Sequence, residues 1–195
     1  MQNTQVSFKS NIRLASANRF AKEIAGMSLK NAVSSPWTAK EMVVGQKAYT
    51  TRIYDCLAGG ITDGKKVVMF HICPTYEENK DFSTIERTIL ENFNEKTAGL
   101  RGVIVGNKPE HAESNSLLEN FRTFMKKNNI DFSLIRGVKK DDESSILFDV
   151  NTDTWTITNT YLAREVKKGT KFLRGILERS FKEVNLSKND KLVTQ

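Results

Sequence analysis

The sequence predicts an α/β (α+β) fold: a layered, mostly antiparallel β-sheet core with helices packed against it. Three observations carry this expectation. Short runs rich in β-branched and aromatic residues recur through residues 42–158. Two longer segments between them repeat their apolar residues at helical spacing. Turn residues separate several consecutive strands by only a few positions, which favours antiparallel neighbours. With 195 residues, 38% of them hydrophobic, the chain is long enough for one domain with a sizeable core.

In chain order, residues 1–40 read as a basic N-terminal arm, loosely attached. Ala17, Phe20, Ala21, Ile24 and Met27 share one face of a short helix there, and Ser34-Ser35-Pro36 marks a linker or turn. The main domain is expected over residues 41–160. It opens with strands at 42–44, 49–54, 56–62 and 66–72. Ser83-Thr84-Ile85-Glu86 matches a capping box, in which a serine and a glutamate satisfy free amides of a first helical turn. Ile85, Ile89, Leu90 and Phe93 form the apolar stripe of that helix. Gly-Val-Ile-Val-Gly at 102–106 reads as a short buried strand. A second helix over 113–128 lines up Leu117, Leu118, Phe121, Phe124 and Met125. Strands at 131–135, 145–150 and 154–158 follow, the last two joined as a hairpin through Asn151, Thr152 and Asp153. Residues 161–195 are expected as a basic C-terminal helix, helical over 161–184. Leu162, Val166, Phe172, Leu173, Ile176, Leu177, Phe181 and Val184 face the domain, and Lys167, Lys168, Lys171, Arg174, Arg179 and Lys182 face outward.

The net charge of +7 is unevenly spread. Residues 1–40 carry six lysines and arginines against Glu23 alone, a balance of +5. Residues 161–195 carry nine against four acids, again +5, while residues 41–160 carry fifteen against eighteen, −3. A slightly acidic body offers no basic groove for nucleic acid. The basic ends suit an acidic partner or a membrane surface. The longest unbroken apolar run, Val67-Val68-Met69-Phe70, falls far short of the roughly 20 residues a spanning helix needs. No basic start leads into an apolar stretch of secretory length. Two cysteines and two histidines leave few candidates for Cys/His chemistry, and so few cysteines fit a reducing compartment.

The informative stretch runs from Thr50 to His71. Asp63-Gly64 is a strong two-residue hairpin signal, because both positions tolerate positive φ. With those two residues as the loop, Thr62 pairs with Lys65, Ile61 with Lys66, Gly59 with Val68 and Leu57 with Phe70. Cys56 then faces His71. Leu57, Ile61, Val68 and Phe70 tend to one face of the hairpin, and Ala58, Val67 and Met69 to the other, so both faces are expected to be buried. Directly opposed residues hold their Cβ atoms about 4.5–5.5 Å apart, within reach for a thiol and an imidazole. A thiol with an ordinary pKa of about 8.5 is mostly protonated at neutral pH, and an adjacent imidazole favours the nucleophilic thiolate. A third polar group must then hold the ring. Thr50, six residues before Cys56, is the first candidate, with Thr51 and Thr75 as alternatives.

Blander readings compete with this one. A free cysteine is commonly a small buried hydrophobe, and a single histidine is commonly a satisfied core residue. A metal site from Cys56, His71 and Cys73 lacks a fourth ligand, and a Cys56–Cys73 disulfide is the lesser alternative. His111 sits in a polar loop ahead of a helix and reads as solvated.

These residues resemble a family. Asp55-Cys56-Leu57-Ala58-Gly59-Gly60-Ile61, the turn, and Met69-Phe70-His71-Ile72-Cys73-Pro74 look like the Cys-strand-turn-strand-His-x-x-Pro region of the chemoreceptor glutamine deamidases (the CheD family). The strand at 102–106, the helix at 115–127 and the strand at 130–135 are similar to that family's next elements. The segments 145–150 and 154–158 resemble its closing hairpin. The likeness covers roughly residues 43–159 and leaves both basic ends outside. The same Cys-His core occurs in cytotoxic necrotizing factor toxins. The resemblance implies a protein-glutamine deamidase without metal or organic cofactor. Cys56 would be its nucleophile, His71 its base, and Thr50 the group orienting the histidine. Tyr54-Asp55 replaces the family's usual Gly-Ser, the proline after His71 arrives one residue early, and Asn107-Lys108 interrupts a glycine pair. These departures imply a partner protein other than a chemoreceptor as substrate. A bacterial cytoplasmic protein and an effector delivered without a Sec signal both fit. The alternatives are transglutaminase or cysteine-protease chemistry from the same pair, or a non-enzymatic protein-binding module on the deamidase scaffold.

Overall fold

The computed structural model describes residues 10–28, 32–33, 43–74, 82–106, 112–138, 143–159 and 173–193. In chain order the elements are β1 (Asn11–Leu14), α1 (Ala17–Ile24), β2 (Ala32–Val33), β3 (Val43–Gly45), β4 (Lys47–Ile53), β5 (Leu57–Thr62), β6 (Val67–Ile72), α2 (Phe82–Asn92), β7 (Arg101–Gly106), α3 (Ala112–Lys127), β8 (Asp131–Val138), β9 (Ser144–Asp149), β10 (Thr154–Asn159), α4 (Leu173–Ser180), β11 (Phe181–Asn185) and β12 (Lys191–Val193). A 3-10 turn at Val150–Thr152 joins β9 to β10, and Asp153 closes it at φ 48°.

Two six-stranded sheets result. One has the order β12-β1-β10-β9-β4-β2, the other β11-β8-β7-β5-β6-β3. Antiparallel pairings outnumber parallel ones, so the expected α+β architecture is present. The sheets pack face to face. Ile12, Leu14, Ala48, Ile146, Phe148, Trp155 and Ile157 of the first share one buried cluster with Ala58, Val67, Met69, Val103, Val105 and Ile135 of the second. The alternate residues of the second sheet, Leu57, Ile61, Val68, Phe70, Ile72 and Ile104, bury against α2 and α3. Period-two alternation with both faces apolar places β5, β6 and β7 in the middle layer. At Gly60 a Cβ would lie 2.9 Å from the Trp155 ring, so the missing side chain is what admits the indole between the sheets.

Two expectations at the chain ends are corrected. The described part of the supposed arm, residues 10–28 and 32–33, is part of the sandwich, because β1 lies between β10 and β12 in parallel register with both and β2 pairs with β4. Ile12 and Leu14 are fully buried, and α1 buries Phe20 while Glu23 pairs with Arg13. The supposed C-terminal helix is helical only over Leu173–Ser180 among the described residues. From Phe181 the chain becomes β11, antiparallel to β8 with Glu183 opposite Arg136. Pairing with an open sheet edge overrides the helical spacing of Phe181 and Val184 there. Residues 160–172 of that expectation, and the Ser34-Ser35-Pro36 linker, lie outside the described residues. A smaller correction concerns α2. It begins at Phe82, so Ser83 lies inside the helix rather than capping it.

Candidate functional site

The hairpin forms, but not in the register that a two-residue turn predicts. Leu57 pairs with Ile72, Ala58 with His71, Gly59 with Phe70, Ile61 with Val68 and Thr62 with Val67. The loop therefore comprises Asp63 to Lys66. Its chemistry explains the shift. The Asp63 carboxylate accepts from the Lys65 and Lys66 amides at 2.8 and 2.9 Å, and the Thr62 hydroxyl binds Gly64 N and the Lys66 carbonyl. Those groups are satisfied by side chains and leave the ladder. Gly64 takes positive φ (82°) but Asp63 does not, so the two-residue turn with both centres left-handed is absent.

The shift is by two residues, an even number, so every side chain keeps its expected face. His71 lies on the sandwich side with Val67 and Met69, opposite Ala58 instead of Cys56. Cys56 lies just outside β5, in a bend, half-buried and not disulfide-bonded.

What the structure brings together is Thr50 and His71. Thr50 is on β4 of one sheet, His71 on β6 of the other, and both are fully buried. Thr50 Oγ1 is 2.7 Å from His71 Nδ1 and 2.8 Å from the Val33 carbonyl. A hydroxyl has one proton, and a carbonyl can only accept. Thr50 therefore donates to Val33 and accepts from the ring, which places the imidazole proton on Nδ1. Nε2 carries the lone pair, is buried and has no hydrogen-bond partner. Burial also pushes the imidazole pKa down from 6.5 to about 4, so the ring is neutral at physiological pH. The structure does not place Cys56 in hydrogen-bond contact with Nε2. On the observed register the two are diagonal neighbours, a spacing of about 7–8 Å in a regular ladder.

The bend carrying Cys56 is held from three sides. β4 contains a bulge between Thr50 and Ile53, with Arg52 at φ 59°, a backbone state costing roughly 1–3 kcal/mol. Ser114, fully buried in the first turn of α3, donates to the Asp55 carbonyl at 3.1 Å. Gly106, at φ 101°, lies against Cys56, where a Cβ would fall 2.6 Å from the Cys56 carbonyl oxygen and would collide with Ile53. Only glycine fits there.

Val33, Ser114 and Gly106 escape a search for reactive side chains, because the first and last act through the backbone. Ser114 left a trace, being a polar residue on the stripe of Leu117, Leu118 and Phe121. Thr51, next along β4, lies on the opposite face of the strand from Thr50, and Thr75 and His111 lie outside the described residues. Among the described residues, Cys56, His71 and Cys73 do not gather as a metal-binding group, nor do any other three His, Cys, Asp or Glu side chains. No described helix is long and apolar enough to cross a membrane. Comparison with models of known families, and with curated proteins, returns no match.

Proposed function

We propose that the chain is a Cys-His hydrolase that converts glutamine side chains of a partner protein to glutamate. The observation that carries this reading is the chain Val33 carbonyl, Thr50 hydroxyl, His71 Nδ1. It commits the ring to the tautomer whose other nitrogen accepts protons, which is the arrangement a cysteine nucleophile requires. On this reading the Cys56 bend closes on Nε2 when substrate binds, and Nε2 takes the thiol proton. Catalytic hydrogen bonds often tighten only in the substrate complex. The depressed imidazole pKa belongs to a ring facing no anion, and a thiolate at Nε2 would raise it.

The sulfur then attacks the amide carbon, and backbone N–H groups near Cys56 stabilise the oxyanion by a few kcal/mol, on the order of 3. The imidazolium gives its proton to departing ammonia, leaving a thioester. His71 next activates water, which releases glutamate and restores the thiol. No metal or organic cofactor enters these steps.

The test is incubation with a cell lysate followed by a proteome-wide search for glutamine-to-glutamate conversion. Wild type should produce it, while Cys56→Ser and His71→Asn should not. Conversion that persists in Cys56→Ser rules the mechanism out. Amine incorporation in place of hydrolysis would mark transglutaminase chemistry.

One observation favours a second reading, a non-enzymatic binding module: His71 is fully enclosed and Nε2 is bonded to nothing. Alkylation rates separate the two. An activated Cys56 reacts with iodoacetamide well ahead of Cys73 at neutral pH, and a binding module shows no such lead.

A further inference from the structure

We infer that Cys56 and Cys73 are a modification site, closing to a reversible disulfide under oxidising conditions. The last pair of the β5–β6 ladder is Leu57 with Ile72. Continued by one residue on each strand, into the bend before β5 and past the end of β6, that register would set Cys56 against Cys73. Opposed positions in an antiparallel pair hold their Cα atoms about 4.5–5.5 Å apart, inside the roughly 4.4–6.8 Å that a disulfide spans. The two positions share the face of Ala58 and His71, since all four are related by even steps along the paired strands. Both cysteines are half-buried, so an oxidant reaches them, and both are thiols in this structure. The two-residue turn would have set Cys56 against His71 and left Cys73 two residues beyond, opposite Tyr54. The Asp63–Lys66 loop is what brings the two cysteines level.

The oxidant is a hydroperoxide. The Cys56 thiolate attacks a peroxide oxygen, an S–O bond forms, the O–O bond breaks, and the leaving oxygen departs as water or alcohol after protonation. Cys56 is now a sulfenic acid, oxidised by two electrons. The Cys73 sulfur then attacks it, forming the S–S bond as the S–O bond breaks. The hydroxide released takes the Cys73 proton and leaves as water. The closed bridge holds the Cys56 sulfur away from any amide. That consequence rests on the proposed catalytic role of Cys56, whereas the bridge itself needs only the two thiols.

Trypsin gives a direct readout, because Lys65 and Lys66 lie between the two cysteines. After digestion the cysteines stay together only if they are bridged. Full-length protein treated with hydrogen peroxide and then alkylated should yield one linked species joining the Cys56 and Cys73 peptides, abolished by dithiothreitol. In Cys73→Ser the link is lost, and Cys56 should proceed to sulfinic acid at the same peroxide dose. Two separately alkylated peptides in oxidised wild type overturn the inference. So does equal sulfinic acid at Cys56 in wild type and Cys73→Ser. If the bridge forms but reduced protein deamidates nothing, the proposed function fails and the bridge stands. If reduced protein deamidates but no bridge forms, the reverse holds.

Discussion

The two ends of the middle sheet spend their buried polar groups in opposite ways. At the loop end, Thr62 pairs with Arg101, and Arg101 pairs with Asp131. Arg101 is nearly enclosed, donates to Ser10 at 2.6 Å and forms an ion pair with Asp153. Close by, Asp190 accepts from Ser133, while Ser187 and Asn189 bind Asp131. That cluster ties the start of β1, the β9–β10 turn and the segment before β12 to β7 and β8. At the other end the row is Ile72, Leu57, Gly106 and Arg136, and one step inside it lies His71. There the link between sheets is neutral and ends in a ring nitrogen with no partner. Charge locks one end, and the other keeps a base uncommitted. A buried acceptor left unsatisfied costs about 1–3 kcal/mol.

Breaking the locked end should have the largest effect on stability. Arg101→Met removes the cation from Asp153 and leaves it the hydrogen bond that Ser10 donates at 3.3 Å, and the expected loss is about 3 kcal/mol. This is the low end for a broken buried pair, because Asp153 remains about one-third exposed. Urea unfolding measures it, and the iodoacetamide rate of Cys56 in the folded variant should match wild type. A slowed rate would mean that the two ends are coupled.

Acid probes the open end. A neutral imidazole whose folded pKa lies below its unfolded value favours the native state fully above pH 6.5, and that contribution is lost as pH falls toward 4. The full span corresponds to roughly 3 kcal/mol. Asp190 opposes the trend. Burial raises its pKa from 3.8 to about 6, with the Ser133 hydrogen bond pulling it partly back and Asp131 pushing it further up. Its contribution is present below pH 3.8 and lost as pH rises through 6. Stability measured from pH 7 down to 4 should therefore stay nearly level in wild type, fall in Asp190→Asn and rise in His71→Asn. Parallel curves for all three would contradict both assignments.

A smaller effect is expected at Thr50. Thr50→Val keeps the shape and removes the hydroxyl, leaving Nδ1–H and the Val33 carbonyl unpaired, for a loss of about 1–3 kcal/mol. Ser114→Ala should cost least, about 1 kcal/mol. It removes the hydrogen bond from Ser114 to the Asp55 carbonyl, so the alkylation profile of Cys56 should shift along the pH axis while the melting temperature moves little. Ser114→Thr should restore the profile, and an unshifted Ser114→Ala profile would make the serine a packing residue only.

Much of this was legible in the chain. The faces of β5 and β6 were, because alternation survives an even shift of register. Thr50 was legible through its six-residue spacing to Cys56. The partner of Cys56 was not, since the loop length depends on which amides the Asp63 side chain captures. The role of Asn11–Leu14 was hidden for a different reason. Four residues alternate briefly, and their partners at Thr154–Ile157 lie more than 140 positions away. β11 was masked by helical spacing that continues from α4, so only the free edge of β8 distinguishes strand from helix there. Ser114 and Val33 act on or through carbonyls, which carry no residue signature.

The most direct measurement is the ¹⁵N chemical shift of the His71 ring in labelled protein at neutral pH. A protonated Nδ1 with a bare Nε2, disturbed in Thr50→Val and unchanged in Arg101→Met, is the predicted result. A proton on Nε2, or an imidazolium, would mean that the ring is not poised to accept a proton from Cys56.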